Sequence, residues 1–310
     1  MDSSILLLAS ALAATINAGT PLMLAAFGLL INEKAGVLNL GAEGMLLLAA
    51  IAGFATTVQT GSASLGFIAG AAAGMLAASF FGWLVIWLGT NQYATGLALS
   101  IFGAGLSAFA GIPYTGTSLA AGRMDIPWLS DIPFLGTVLF RHHPMVYIAL
   151  LICAVLAWFL SRSRAGLVLR ATGESPESAH ALGYNVRQIR LGAVIFGGAC
   201  CGLAGAYLAL VYTPMWQEGM TAGKGWIALV LTTFACWKPW RVVGGALLFG
   251  GVTILQLNLQ GLGVVIAPQI MAMLPYVATI VVLALISRNP DWIRLNIPAS
   301  LGKNFNPNSA

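Results

Sequence analysis

The sequence predicts an all-α polytopic membrane protein of about 8–10 transmembrane helices, and three observations carry that reading. Of 310 residues only 7% are charged while 59% are apolar, a balance that a soluble monomer does not keep in water. Long apolar runs recur near the ~20 residues a helix needs to cross hydrocarbon. The 37 glycines fall mostly inside those runs, where small residues let helices approach closely in lipid.

The first run, near 5–31, follows "MDSSILLL", which carries Asp2 and lacks the basic n-region of a cleaved signal peptide, so the N-terminus is expected to be retained. Further long runs lie near 64–89, 92–112, 145–160, 191–212, 242–260 and 268–287. Two shorter stretches stand apart: 44–58 after "GVLNLGAEG" and 226–237 after "GMTAGKG". Each reads as too short or too interrupted for a plain span, hence as a broken or re-entrant segment whose irregular backbone lines protein or a water-filled cavity. Both follow one plan: glycines, a single charge, then an apolar helix. Matched breaks of this kind in two halves of a chain mark a midplane pathway and an inverted repeat, which stays open because the two stretches share little exact sequence. The whole chain, 1–310, reads as one transmembrane domain with a cytoplasmic loop at 172–187.

Basic residues give the orientation. With 161–190 inside, alternation through about nine crossings also places Lys34, Lys238, Arg241, Arg288, Arg294 and Lys303 inside. Of the 14 Lys and Arg only Arg123, Arg141 and Lys224 remain outside, as the positive-inside rule prefers. The net charge of +5 therefore reflects topology and lipid contact, not a nucleic-acid partner. Cys153, Cys200, Cys201 and Cys236 lie in apolar runs without C-x-x-C spacing and read as small packing residues, neither metal ligands nor disulfides.

The loop "SRSRAGLVLRATGESPESAHALGYNVRQIR" contains a short bounded helix. Ser175 caps it, Pro176 fits its first position, Glu177 suits its positive end and Gly183 ends it. Ala179, Ala181 and Leu182 supply a small apolar surface, suited either to a groove on another protein or to lipid headgroups.

"QEGMTAGKGW" (217–226) resembles a phosphate-binding loop but misses the Walker A spacing, and Gly225 stands where the Mg²⁺-binding hydroxyl is needed. No cofactor is expected. Glu43 and Lys224, at matching places in the two glycine-rich lead-ins, are ionisable groups at membrane depth. They read either as a mutual pair holding broken helices, as solute contacts on the pathway, or as snorkelling anchors. Asn39, Asn91, Gln92 and Gln256 are neutral hydrogen-bonding groups suited to a hydroxyl- or amide-rich solute, or to interhelical bonding. Trp216 and Trp226 could stack on a base or sugar, or belong to an aromatic belt. His142 and His143, before Pro144, read as solvated loop residues.

An intramembrane enzyme would need a nucleophile with its base, paired carboxylates or a metal cluster, and no H-E-x-x-H, G-x-S-x-G or second acid beside Glu43 on its segment is present. An ion-coupled secondary transporter is the alternative function, but it leaves the capped loop helix unexplained.

Five blocks then resemble, in order, the permease subunits of ATP-binding-cassette importers of the simple sugar and nucleoside branch, related to ribose and branched-chain amino-acid permeases. They are "GVLNLGAEGMLLLAA", "GLVLRATGESPESAHALGYNVRQIR", "MTAGKGWIALVL", "LLFGGVTILQLNLQGLG" and "MLPYVATI", within a resemblance over roughly 15–302. The resemblance implies that Gly173, Glu174, Ser175, Pro176, Ala179, Ala181, Leu182 and Gly183 form the coupling helix that rests in a cleft of an ATPase subunit. It also implies a second permease subunit (the same chain or a paralogue), an extracytoplasmic binding protein, a bacterial inner-membrane location, and a nucleoside or simple sugar as solute. Lys224 stands where that branch is expected to carry arginine, which keeps the charge and loses the planar fork.

Overall fold

The computed structural model describes residues 3–120, 132, 134–261, 270, 273, 274, 276, 277, 280, 281, 284 and 296–306, and the helices follow from the apolar runs and their caps. They are α1 (Ser3–Lys34), α2 (Ala42–Thr60), α3 (Ala63–Gly82), α4 (Gln92–Gly111), α5 (Leu135–Leu139), α6 (Pro144–Arg162), α7 (Arg164–Glu174), α8 (Pro176–Ala181), α9 (Val186–Tyr207), α10 (Lys224–Phe234) and α11 (Pro239–Gly261). Wider π-type turns extend α3 through Trp87 and α9 through Tyr212. Among the described residues seven helices are long and apolar enough to cross a membrane: α1, α2, α3, α4, α6, α9 and α11. The protein is an all-α polytopic membrane protein; the run at 268–287 lies largely outside the described residues.

The stretch at 44–58 lies in α2, a helix of 19 residues that is long and apolar enough to cross, and the backbone at 35–41 ahead of it is irregular. The stretch at 226–237 is indeed short, with α10 covering 11 residues. At ~1.5 Å per residue such a helix covers about half of a ~30 Å hydrocarbon core.

Packing is glycine-led. Gly70 and Gly74 of α3, four apart, face Gly198, Gly202 and Ala206 of α9, so that a Cβ at Gly74 would overlap the Gly198 carbonyl oxygen, while Gly66 packs on Gly53 and Thr57 of α2. The same logic joins α1 to α9, where a Cβ at Gly28 would lie 2.6 Å from Gly197 O. Without water to drive helices together, such backbone contact supplies the dispersion energy of association. Leu22 through Leu30 of α1 are at most a few per cent exposed, which puts α1 at the centre of the bundle. The four cysteines are free thiols, Cys200, Cys201 and Cys236 buried.

The termini of the helices sort into two ends. Lys34 meets Trp237 at 5.7 Å and Asn296 O at 2.8 Å. Gly173 sits against the Lys34 carbonyl, and Arg190 bonds Ala35 O at 3.1 Å. The connections at 35–41, 163–190, 235–238 and 296–306 thus share one end, the end to which the basic-residue pattern assigns the cytoplasm. At the opposite end Leu119 N bonds Pro214 O at 2.8 Å and Gln59 bonds Tyr114.

His142 is buried and His143 half-buried, so neither is a freely solvated loop residue. His142 is 2% exposed and bonds Val138 O, while His143 caps α6 through Met145 N and lies between Phe67 and Tyr207. Burial pushes the His143 pKa down, since desolvation disfavours the imidazolium.

Candidate functional site

The two glycine-rich lead-ins meet. Glu43, in the first turn of α2 and 7% exposed, places its carboxylate against the start of α10. Oε1 accepts from Thr221 Oγ1 at 2.6 Å and Gly223 N at 2.8 Å, and Oε2 accepts from Gly225 N at 2.7 Å. The backbone is left-handed at Ala222 (φ 46) and Gly223 (φ 78), which turns these N–H groups toward one point. Ala222 holds this conformation although only Gly adopts it freely. Gly225 is required for another reason: a Cβ there would lie 2.5 Å from Glu43 N. The loop that resembles a phosphate cradle therefore cradles a carboxylate of its own chain, at the N-terminal, positive end of a helix where anions are stabilised.

Two helices measure the depth of this contact. Gly44 packs between Leu99 and Gly103 of α4, 7–11 positions beyond Gln92, while α10 runs 11 residues from Glu43 to the Lys34 end. Together these give about 10–16 Å from the Lys34 end, deep inside a ~30 Å core.

Lys224 makes no direct bond to Glu43, although the carboxylate lies near enough to act on its charge. Its Nζ lies 3.5 Å from Thr221 O and 5.9 Å from the Tyr212 ring. The carboxylate is held by neutral donors, which suffice because three well-aimed N–H and O–H groups satisfy both oxygens.

The far end of α10 is anchored by a residue that the sequence reading missed. Glu33, 1% exposed, accepts from Thr232 Oγ1 at 2.9 Å and from Trp237 Nε1. Left-handed backbone at Cys236 and Trp237 makes the tight corner that brings the indole there. The triplet "NEK" at the end of an apolar run was the available signal, since an acid beside the helix-ending lysine needs a partner once buried. Both ends of the short helix are thus tied to the α1–α2 hairpin by carboxylates.

Of the remaining candidates, three are engaged within the fold rather than open to a pathway. Asn39 is buried and bonds Gly41 N at 2.9 Å. Gln92, 1% exposed, accepts from Leu38 N at 2.7 Å and reaches Asn304 at the basic end. Trp216 is 3% exposed, with its indole in the space that a Cβ at Gly111 would occupy. Asn91 caps α4 through Ala94 N, exposed at the basic end. Trp226 is 47% exposed on α10, and Gln256 is half-buried on α11.

The loop helix is capped as the sequence predicts. Ser175 Oγ accepts from Ser178 N at 3.2 Å, Pro176 opens α8, and Gly183 ends it at φ 87. Its assumed outer surface is corrected: Gly173 and Ala179 are buried against this chain, the former because Lys34 O occupies its Cβ position. Glu174, Ala181, Leu182 and Tyr184 are exposed, Leu182 by 78%.

A bundle of helices of membrane-spanning length, with a short helix tied at its inner start by Glu43 and at the basic end by Glu33, and with a capped element at that same end, fits a solute permease. The family described as "Branched-chain amino acid transport system / permease component" matches residues 11–286, and the chain belongs to it. It is 40% identical to TsgC13 of Haloferax volcanii, named provisionally as a glucose ABC transporter permease, over 96% of this chain and 98% of that one. It is 30% identical to the nucleoside ABC transporter permease NupC of Lactococcus lactis over 86% and 88% of the two chains. Against the guanosine permease NupQ of Bacillus subtilis it is 29% identical over 94% and 96%. The protein is a permease subunit of an ABC importer, a transport component and not itself an enzyme. Membership implies ATPase and substrate-binding-protein partners.

Proposed function

We propose that this permease carries a nucleoside or a simple sugar across a bacterial inner membrane, paired with a second permease subunit, the same chain or a paralogue. Support comes from relatives named for guanosine, nucleosides and glucose. The pathway runs along the outward face of α10, where Lys224 and Trp226 offer a hydrogen-bond donor and a stacking surface, with Gln256 on α11 as a further contact. Replacing Trp226 with alanine is expected to lower uptake about tenfold with the assembled complex retained, the loss of one stacking contact of ~1–3 kcal/mol. Unchanged uptake in proteoliposomes would remove α10 from the pathway.

The observation that carries the coupling reading is α8 itself: a short, doubly terminated helix on the basic end with Leu182 and Tyr184 turned outward. It docks in a cleft of the ATPase, and nucleotide-driven closure moves residues 175–183 and tilts the attached spans. The nucleotide drives this only as far as its differential affinity for the two states allows. Gly183→Val is expected to uncouple hydrolysis from uptake, because a β-branched residue at φ 87 costs on the order of 1–2 kcal/mol and distorts the helix end. The measurement is solute transported per ATP hydrolysed by the reconstituted complex. A wild-type ratio argues against docking through α8.

A further inference from the structure

We infer that Arg190 is the positioning residue that transmits motion of α8 to the midplane, acting through Ser300; this rests on the coupling reading above. Arg190, in the first turns of α9, is 3% exposed. Its fork reaches three separate segments at once: Nε donates to Ala35 O at 3.1 Å, Nη1 to Lys303 O at 3.0 Å and Nη2 to Ser300 Oγ at 2.9 Å. A planar guanidinium presents five donors in fixed directions, so these acceptors are held in one mutual geometry.

Ser300 passes the contact on. Its hydroxyl, while accepting from Arg190, donates to Gly173 O at 2.6 Å, and its N–H donates to the same carbonyl at 3.0 Å. Gly173 stands two residues before the Ser175 cap of α8. The tail touches the coupling segment twice more, through Ala299 N on Glu174 Oε2 at 3.4 Å and through Phe305, whose ring lies 5.6 Å from that of His180. On the other side of the joint, Ala35 and Gly36, whose carbonyl accepts from Gly302 N at 3.3 Å, begin the irregular segment 35–41 that leads into α2 and Glu43. A displacement of α8 therefore moves Gly173, Ser300, Arg190 and the 35–41 segment together. That segment runs directly into the first turn of α2, whose Glu43 carboxylate caps α10. The path is a contiguous set of hydrogen bonds, not spatial proximity alone.

The test reconstitutes the permease with its ATPase and binding protein in liposomes and reads solute moved per ATP hydrolysed, normalised to assembled complex. Arg190→Gln is expected to lower that ratio at least tenfold with hydrolysis retained, and Ser300→Ala about threefold or more. Arg190→Lys keeps the charge and loses the fork, and is expected to fall between Arg190→Gln and the native protein. A merely structural role would reduce the amount of complex without changing the ratio. Should Arg190→Gln fail to assemble, Ser300→Ala decides by itself. Ratios within twofold of native in these variants, with Gly183→Val uncoupled, overturn the joint and leave the coupling reading standing. A native ratio in Gly183→Val overturns the coupling reading instead.

Discussion

Glu43→Ala is expected to abolish uptake and to cut the yield of folded permease by more than tenfold, the largest effect of any single side-chain truncation in the bundle. The substitution leaves Thr221 Oγ1, Gly223 N and Gly225 N, the three donors held at 2.6–2.8 Å, buried without the acceptor that the fold provides for them. Each orphaned donor costs about 1–3 kcal/mol, and the total is a large part of a marginal stability. Glu43→Gln is expected to do less harm but still lower stability, because its amide N–H₂ would face a backbone N–H in either orientation. The control is Glu218→Ala in the exposed 217–219 stretch, expected to be neutral within ±0.5 kcal/mol. Fluorescence-detected size exclusion and thermal melting in detergent separate the outcomes. Equal yields and melting temperatures for Glu43→Ala and Glu218→Ala would show that the carboxylate does not hold α10.

Gly74→Leu is expected to prevent α3 and α9 from closing. A Cβ at Gly74 already overlaps the Gly198 carbonyl and lies 2.8 Å from Gly202 Cα, so the obstacle is backbone rather than a side chain that can swing away. Overpacking usually costs about 1–3 kcal/mol, and here neither helix can yield without breaking the contacts of Gly70 and Gly74 with Gly198, Gly202 and Ala206. Accumulation of the protein should drop severely, with the residual fraction melting at much lower temperature. Gly105→Ala on α4, where a Cβ meets nothing within 4 Å, is expected to melt as the native protein does. Normal melting of Gly74→Leu would mean that the two helices are not in backbone contact.

These two sites differ in how much of them the sequence discloses. The glycines of α3 and α9 are visible as four-residue spacings inside apolar runs, and an apolar run with small residues on one face has few uses in lipid. Glu43 is visible as a costly group, yet its partners stand 178–182 positions away, and the nearest candidate by charge, Lys224, is not among them. Glu33 escaped because a charge at the edge of a run reads as the helix leaving the membrane; only the return of α10 and the left-handed corner at Cys236 and Trp237 bury it. Gln92 likewise reads as a group on the pathway until Leu38 and Asn304 are found against it.

Local chemistry was sufficient for whatever depends on neighbours along the chain. Apolar length set the spans, Ser175, Pro176 and Gly183 bounded α8, and the distribution of Lys and Arg sorted the two ends. Only the folded chain decided what buried polar groups bond to, that the first turn of α2 and 221–225 meet at the Glu43 carboxylate, and that Arg190 gathers the 296–306 tail onto the loop before α8. The reason is that helix formation and membrane insertion are governed by contacts a few residues apart and by the solvent, whereas in hydrocarbon a buried donor accepts any correctly placed oxygen regardless of its distance in sequence.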